Sequence, residues 1–208
     1  ETLRRFINEE VIPYGDQWED AGEIPREVLR KMGTLGFLGI RYPSRYGGAE
    51  MDTLGTVILS EELGRSTFGG FAVSVLVHTD MASPHLARYG TPEQLERYLP
   101  GITRGELISA VAVTEPDAGS DVAGIRTRAV RDGDDYVLNG SKIFITNGVL
   151  ADVYFVAAKT NLDVKGSRGV SIFIVEKGTP GFTVSRKLDK MGWRSSDTAE
   201  LAFQDCRI

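Results

Sequence analysis

The sequence predicts an α+β protein, with an all-helical N-terminal domain over 1–105 followed by a mainly antiparallel β barrel or sandwich domain over 106–208. Up to residue 105 apolar residues recur at helical spacing; beyond Gly105 they come in short β-rich runs punctuated by Gly, Asp and Asn. A negative observation narrows the class further. No G-x-G-x-x-G follows a predicted strand, because Gly33, Gly36 and Gly39 are spaced by three and lie at a helix end, so a Rossmann dinucleotide site is not supported.

In chain order, Leu3, Phe6, Ile7 and Val11 place one helix, and Val28, Leu29 and Met32 a second, with Pro25 suited to its start and Gly33 and Gly36 near its end. Tyr42-Pro43 to Gly47-Gly48 reads as a loop. A third helix carries Val57, Ile58, Leu59 and Leu63, the stretch Phe68 to Tyr89 reads as buried helix, and Pro92 opens a short helix to Leu99. The β-rich runs are 107–114, 125–131, 135–147, 152–159, 170–176, 182–186 and 199–205. Asp132-Gly133 marks a hairpin, Asn139-Gly140 has hairpin-turn composition, and 161–168 is a polar loop. There is no internal repeat.

A chain of 208 residues, 41% hydrophobic, is ample for two modest cores. No apolar run approaches the roughly 20 residues a spanning helix needs. The net charge of -5, with Lys and Arg scattered, disfavours nucleic acid as a partner. The single cysteine, Cys206, excludes an internal disulfide and reads as a strand residue without a catalytic role. His78 and His85 lie in an apolar helical context without metal-ligand spacing, and no G-x-S-x-G elbow occurs, so no metal site is assigned and zinc-enzyme and hydrolase readings fall away. Glu61 and Glu62, beside Arg65, read as a salt-linked surface.

The most informative stretch is VAVTEPDAGSD, Val111 to Asp121, followed by LNGSKIFITNG, Leu138 to Gly148. The first reads as an apolar strand stopped at Glu115-Pro116 and turned through Ala118-Gly119-Ser120-Asp121, which exposes backbone N–H groups able to meet an anion or the polar edge of a flat ring. Thr114 and Ser120 add hydroxyls. In the second, strand alternation puts Phe144 and Thr146 on one face, an aromatic surface beside a hydroxyl.

These two segments, with SEELGR from Ser60 to Arg65 and RKLDKMGWRSSDTAELAFQDCRI from Arg186, resemble the acyl-CoA dehydrogenase family, whose signature runs TEPxAGSD and then K-[FW]-I-[TS]-N-G. The resemblance covers the whole chain but only the first part of a family member; with no initiator Met and an end at Ile208, the sequence reads as a fragment lacking the family's C-terminal helical bundle. It implies an FAD site lined by Val111, Ala112, Val113, Thr114, Gly119 and Ser120, with Phe144, Ile145 and Thr146 as the wall behind the isoalloxazine. Ser120 would also meet the CoA moiety of the ligand, and Lys190 would line the CoA channel or else be a solvated lysine. Thr146 would hydrogen-bond near N5. Asp117, where many relatives have Gly, is expected to face solvent, and Trp193 to pack.

The family's activity is α,β-dehydrogenation of an acyl-CoA thioester to the trans-2-enoyl-CoA, with electron-transfer flavoprotein as acceptor. Its base is a Glu of the missing domain, so no catalytic residue is assigned in this chain, and the fragment alone is expected to be inactive. The resemblance also implies a homotetramer or homodimer for the full-length protein, in the cytoplasm of a bacterium or the mitochondrial matrix of a eukaryote. The long-chain and medium-chain branches are closest in feel. The alternative reading is a non-catalytic acyl-CoA or protein-binding module, or an acyl-CoA oxidase or other flavoenzyme of the same architecture.

Overall fold

The computed structural model describes residues 1–164 and 166–208; of the expected polar loop, Lys165 lies outside the described residues. The chain divides into two compact units. One comprises Glu1–Ile108 with Asp189–Asp197, and the other Ser109–Leu188 with Thr198–Ile208.

The first unit is helical. α1 (Thr2–Phe6) continues through a π-helical turn, Ile7–Val11, and a 3-10 turn, Ile12–Tyr14, into α2 (Gly15–Ala21). The irregular turns coincide with Pro13, which has no N–H for the helical ladder, and Gly22 ends the run in the left-handed region at φ 73. α3 (Arg26–Thr34) follows Pro25 and buries Val28, Leu29 and Met32, a gain of roughly 1.5–3 kcal/mol for each large side chain. α4 (Thr53–Gly64) is capped by Asp52, which accepts from the Leu54 amide at 2.9 Å. α5 (Gly69–Leu76), a π-helical turn (Val77–Ala82) and α6 (Ser83–Tyr89) make up the buried stretch the sequence predicts.

α7 (Pro92–Thr103) starts with a capping box between Thr91 and Gln94. It runs past the expected end at Leu99 and through Pro100, because Leu99 and Ile102 both lie fully in the core and their burial outweighs the lost ladder bond. The two histidines serve the packing. Buried His78 pairs through Nε2 with the Ile102 carbonyl, and His85 through Nδ1 with that of Ala82. Among the described residues no group of three His, Cys, Asp or Glu is placed to hold a metal, and no helix is long and apolar enough to cross a membrane.

The second unit holds β1 (Ser109–Ala112), β2 (Arg128–Asp132), β3 (Asp135–Thr146), β4 (Val153–Lys159), β5 (Val170–Glu176), β6 (Phe182–Lys187) and β7 (Thr198–Arg207). They form one sheet in the order β1-β4-β2-β3-β7-β6, with β5 also paired to β4. Most pairings are antiparallel, but β4 runs parallel to β1 and meets β2 in parallel at Arg128–Lys159, so the sheet is mixed. β4 is buried from Val153 through Ala158, and its unbroken apolar run follows from that central place.

The β2–β3 hairpin turns at Gly133, φ 66, as Asp132-Gly133 predicts. Asn139-Gly140 is not a turn. It lies inside β3 at a register shift, where a Cβ on Gly140 would stand 2.5 Å from Thr127 Oγ1; the glycine serves close approach of neighbouring backbone. The core beneath the sheet is built on Leu138, Ile145, Tyr154, Val156, Leu201 and Phe203. The fully buried Tyr154 hydroxyl donates towards the carbonyls of Gly148 (2.9 Å) and Ala151 (3.0 Å). Cys206 is buried on β7, where burial pushes its thiol pKa up.

Candidate functional site

The two signature segments meet in the β unit. β1 ends at Ala112, and the chain then folds on itself through a short bridge, with the Glu115 amide donating to Ala118 O at 2.9 Å and the Ala118 amide to Glu115 O at 3.1 Å. Pro116-Asp117 forms the tip. Gly119 and Ser120 follow, exposed, and nothing lies within 4 Å of where a Cβ on Gly119 would stand. The Ile143 amide donates to Thr114 O at 2.9 Å, which joins this turn to β3.

β3 is irregular where it matters. Between Lys142 and Ile145 its register against β7 slips at a bulge, and Phe144 takes φ 60, rare for a residue with a side chain. Ile145 then points into the core, while Phe144 is left 64% exposed. Thr146 is half-buried beyond it. Uninterrupted alternation would put Lys142 on the same face as Phe144 and Thr146; the bulge turns Lys142 inward instead.

There it meets Glu115. The Lys142 and Glu115 side chains are 0% and 5% exposed, with Nζ 2.8 Å from Oε1. Nζ also donates to Val113 O at 2.9 Å. The carboxylate accepts from the Thr127 amide at 2.9 Å and the Arg126 amide at 2.5 Å. Burial acts to raise the Glu115 pKa, but the bonds from Lys142, Thr127 and Arg126 outweigh it and hold the group below the usual carboxylate value. Burial depresses Lys142, opposed by Glu115. The sequence reading missed this pair, since it took Glu115-Pro116 only as a strand stop and assigned Lys142 no role.

Of the residues singled out from sequence, Val111, Val113 and Thr114 are half-buried at the end of β1 and just beyond it, and Gly119 and Ser120 are exposed. Ala112 and Ile145 point into the core, 0% and 2% exposed, so they can offer a ligand only backbone. The hydroxyls of Thr114, Ser120 and Thr146 make no hydrogen bond among the described residues. Asp117 faces solvent, with Arg126 Nη1 2.9 Å away.

Lys190 belongs to the Asp189–Asp197 segment of the helical unit, half-buried, its carbonyl accepting from Arg194 Nη1 at 3.3 Å. That segment is held by Glu19, which accepts from the amides of Arg194 (2.7 Å) and Ser195 (3.2 Å) and from the Ser195 hydroxyl. Burial alone would raise the Glu19 pKa; these bonds, with the charge of Lys190, bring it down. Trp193 covers Gly69, where a Cβ would stand 2.3 Å from the indole Nε1, yet remains 57% exposed.

Two family models match the chain. Residues 1–106 match the N-terminal domain of acyl-CoA dehydrogenase, and residues 110–206 match its middle domain. The chain belongs to the acyl-CoA dehydrogenase family. It is 47% identical over 209 aligned positions to the mitochondrial long-chain specific acyl-CoA dehydrogenase of Rattus norvegicus, covering 100% of this chain and 48% of that protein. The crystal structure of acyl-CoA dehydrogenase from Geobacillus kaustophilus superposes with a TM-score of 0.93 at 46% identity, over 100% of this chain and 54% of that one. A glutaryl-CoA dehydrogenase from Mycobacterium smegmatis, solved in complex with FADH2, gives 0.91 at 36% identity, over 100% and 52%. The chain spans about half the length of the relatives it matches.

Measured against a flavin, the arrangement fits. A flat ring needs an apolar face and hydrogen-bonding groups at its edge. Phe144 presents an aromatic surface outward, the nearby segments carry Thr114 and Thr146 with hydroxyls that make no bond among the described residues, and the turn at Gly119-Ser120 is open enough to approach an anionic tail.

Proposed function

We propose that this chain supplies the FAD-binding face and part of the acyl-CoA site of an enzyme that dehydrogenates acyl-CoA thioesters to trans-2-enoyl-CoA. The observation that carries this reading is the joining of the two signature segments by the Ile143 amide and Thr114 O, with Phe144 exposed on one of them and the half-buried Thr114 and Thr146 making no hydroxyl bond among the described residues.

FAD, when bound, accepts the hydride leaving the β carbon. Phe144 would support the flat ring and keep water from one of its faces, and Thr146 would offer the ring a hydroxyl able to donate to an oxidised nitrogen and to accept from a reduced N–H. Thr114 serves the pyrimidine edge. Backbone from Val111 through Val113 would line the ring, Gly119 would let the cofactor approach the chain closely, and Ser120 would offer its hydroxyl to both cofactor and the CoA moiety. Lys190 is a cation suited to the phosphates of CoA. No residue of this chain is assigned as the base that removes the α proton; that carboxylate comes from outside residues 1–208. Electron-transfer flavoprotein is the acceptor, and a homodimer or homotetramer the assembly.

The test is the visible absorption spectrum of the purified chain, before and after FAD and then an anaerobic acyl-CoA. Flavin bands retained after gel filtration support the cofactor face. Bleaching by acyl-CoA would show a base within residues 1–208 and overturn that part of the assignment; a wild-type chain that takes up no FAD would remove the support for the cofactor face.

A further inference from the structure

The Glu115–Lys142 pair is buried, charged and unused by the proposed chemistry. Its place explains it. Lys142 bonds Val113 O and Glu115, and Glu115 accepts from the amides of Arg126 and Thr127, so one pair ties together the chain just past β1, the segment leading into β2 and the bulged part of β3. Immediately beside it, the Ile143 amide holds Thr114 O. Thr114 and Phe144, the residues offered to opposite parts of the flavin, are each next in sequence to a group fixed by this pair or its neighbour bond.

Stability alone is a poor reason for such a pair. Taking two charges out of water costs about as much as their attraction returns, and apolar side chains of the same size usually do as well; the attested use of a buried pair is to fix a register. At a bulge a register needs fixing, because the strand can relieve the positive φ of Phe144 by sliding one residue, which restores plain alternation and returns Lys142 and Phe144 to one face, so that either the ring turns inward or the ammonium outward.

We infer that Glu115 and Lys142 are positioning residues for the flavin face: together they lock the β3 bulge against the Thr114–Ser120 turn, so that Phe144 and the Thr114 hydroxyl keep one mutual geometry. The inference rests on the cofactor reading above. It assigns neither residue a contact with FAD.

The experiment uses the double variant Glu115→Gln with Lys142→Met, which removes both charges while keeping side-chain size, and has two parts. In the first, hydrogen exchange of the chain without cofactor, the Ile143, Arg126 and Thr127 amides are expected to lose protection by about tenfold or more, the scale of a lost bond to a charged group. Those in the β4–β5 ladder should not change. Unchanged protection at Ile143 overturns the inference whatever the cofactor does.

In the second, FAD titration is followed by the shape and position of the visible band. The double variant is expected to bind about tenfold or more weakly with an altered band, whereas Lys142→Arg, which keeps the charge, is expected to restore part of the band shape. A double variant with wild-type affinity and an unaltered band overturns the inference and leaves the pair a structural one. Failure of the cofactor reading is separable, because the wild-type titration itself then shows no binding while the exchange result stands.

Discussion

Replacing Lys142 alone by Met removes the ammonium and leaves Glu115 ionised, 5% exposed, with two backbone amides but no countercharge. Val113 O loses its donor as well. Breaking one side of a buried pair typically costs about 3–5 kcal/mol, and that is the loss expected at neutral pH. The pH dependence gives the sharper test. In the wild type Glu115 titrates below its ordinary value of 4.5, so its contribution is complete above that value and is lost as pH falls through the lower, folded one. Without Lys142, burial faces less opposition and the folded pKa rises. Protonation then removes the buried charge, and the difference between wild type and variant shrinks as the pH is lowered towards about 4.

Urea unfolding followed by far-UV circular dichroism at both pH values measures this. Tryptophan fluorescence alone would not, because Trp18 and Trp193 both belong to the helical unit. A cost under about 1 kcal/mol at neutral pH would place the pair among those that contribute nothing measurable. A cost that grows on acidification would refute the account of Glu115.

Phe144→Ala should change stability by no more than about 0.5 kcal/mol, since the ring is 64% exposed, while FAD affinity falls; a stability loss of several kcal/mol would mean the ring is part of the core. Thr146→Val should leave the urea midpoint unchanged and shift the visible band of bound flavin, and an unshifted band would exclude a hydroxyl contact at the ring. Gly140→Ala should cost about 2 kcal/mol or more, because its Cβ would stand 2.5 Å from Thr127 Oγ1 at φ 150, whereas Gly178→Ala, at φ 89 with open space around it, should cost only about 1 kcal/mol. Comparing the two midpoints separates crowding from backbone strain. Thr91→Ala removes one half of the capping box of α7 and should cost about 1 kcal/mol in thermal unfolding of the helical unit.

The kinds of element and much of their extent were legible in the sequence because they follow from local periodicity and punctuation. The change of period near residue 105 separates helices from strands; Pro25 and Pro92 mark helix starts, and Asp132-Gly133 the hairpin. Strand order was not legible, since the parallel partnership of β1 with β4 depends on a connection that no local window contains. Nor was the helical association of Asp189–Asp197, which Glu19 secures from across the sequence.

The residues of the candidate site divide in the same way. TEPDAGS and KIFITNG identify themselves as strings, and the segments they name do meet. What the strings do not contain is the bulge: alternation puts Lys142 on the face of Phe144, and only pairing with β7 reverses it. The side chain of Lys142 then finds Glu115, 27 positions away, in a place that neither residue's neighbours specify. Sequence by itself determined the two family strings and the side chains they offer, because residue type and local spacing are written in the chain. Tertiary structure decided which of those side chains are exposed, as Phe144 is, and which are buried, as Lys142 and Glu115 are, because side-chain direction in a sheet depends on register, and register is a property of two strands together.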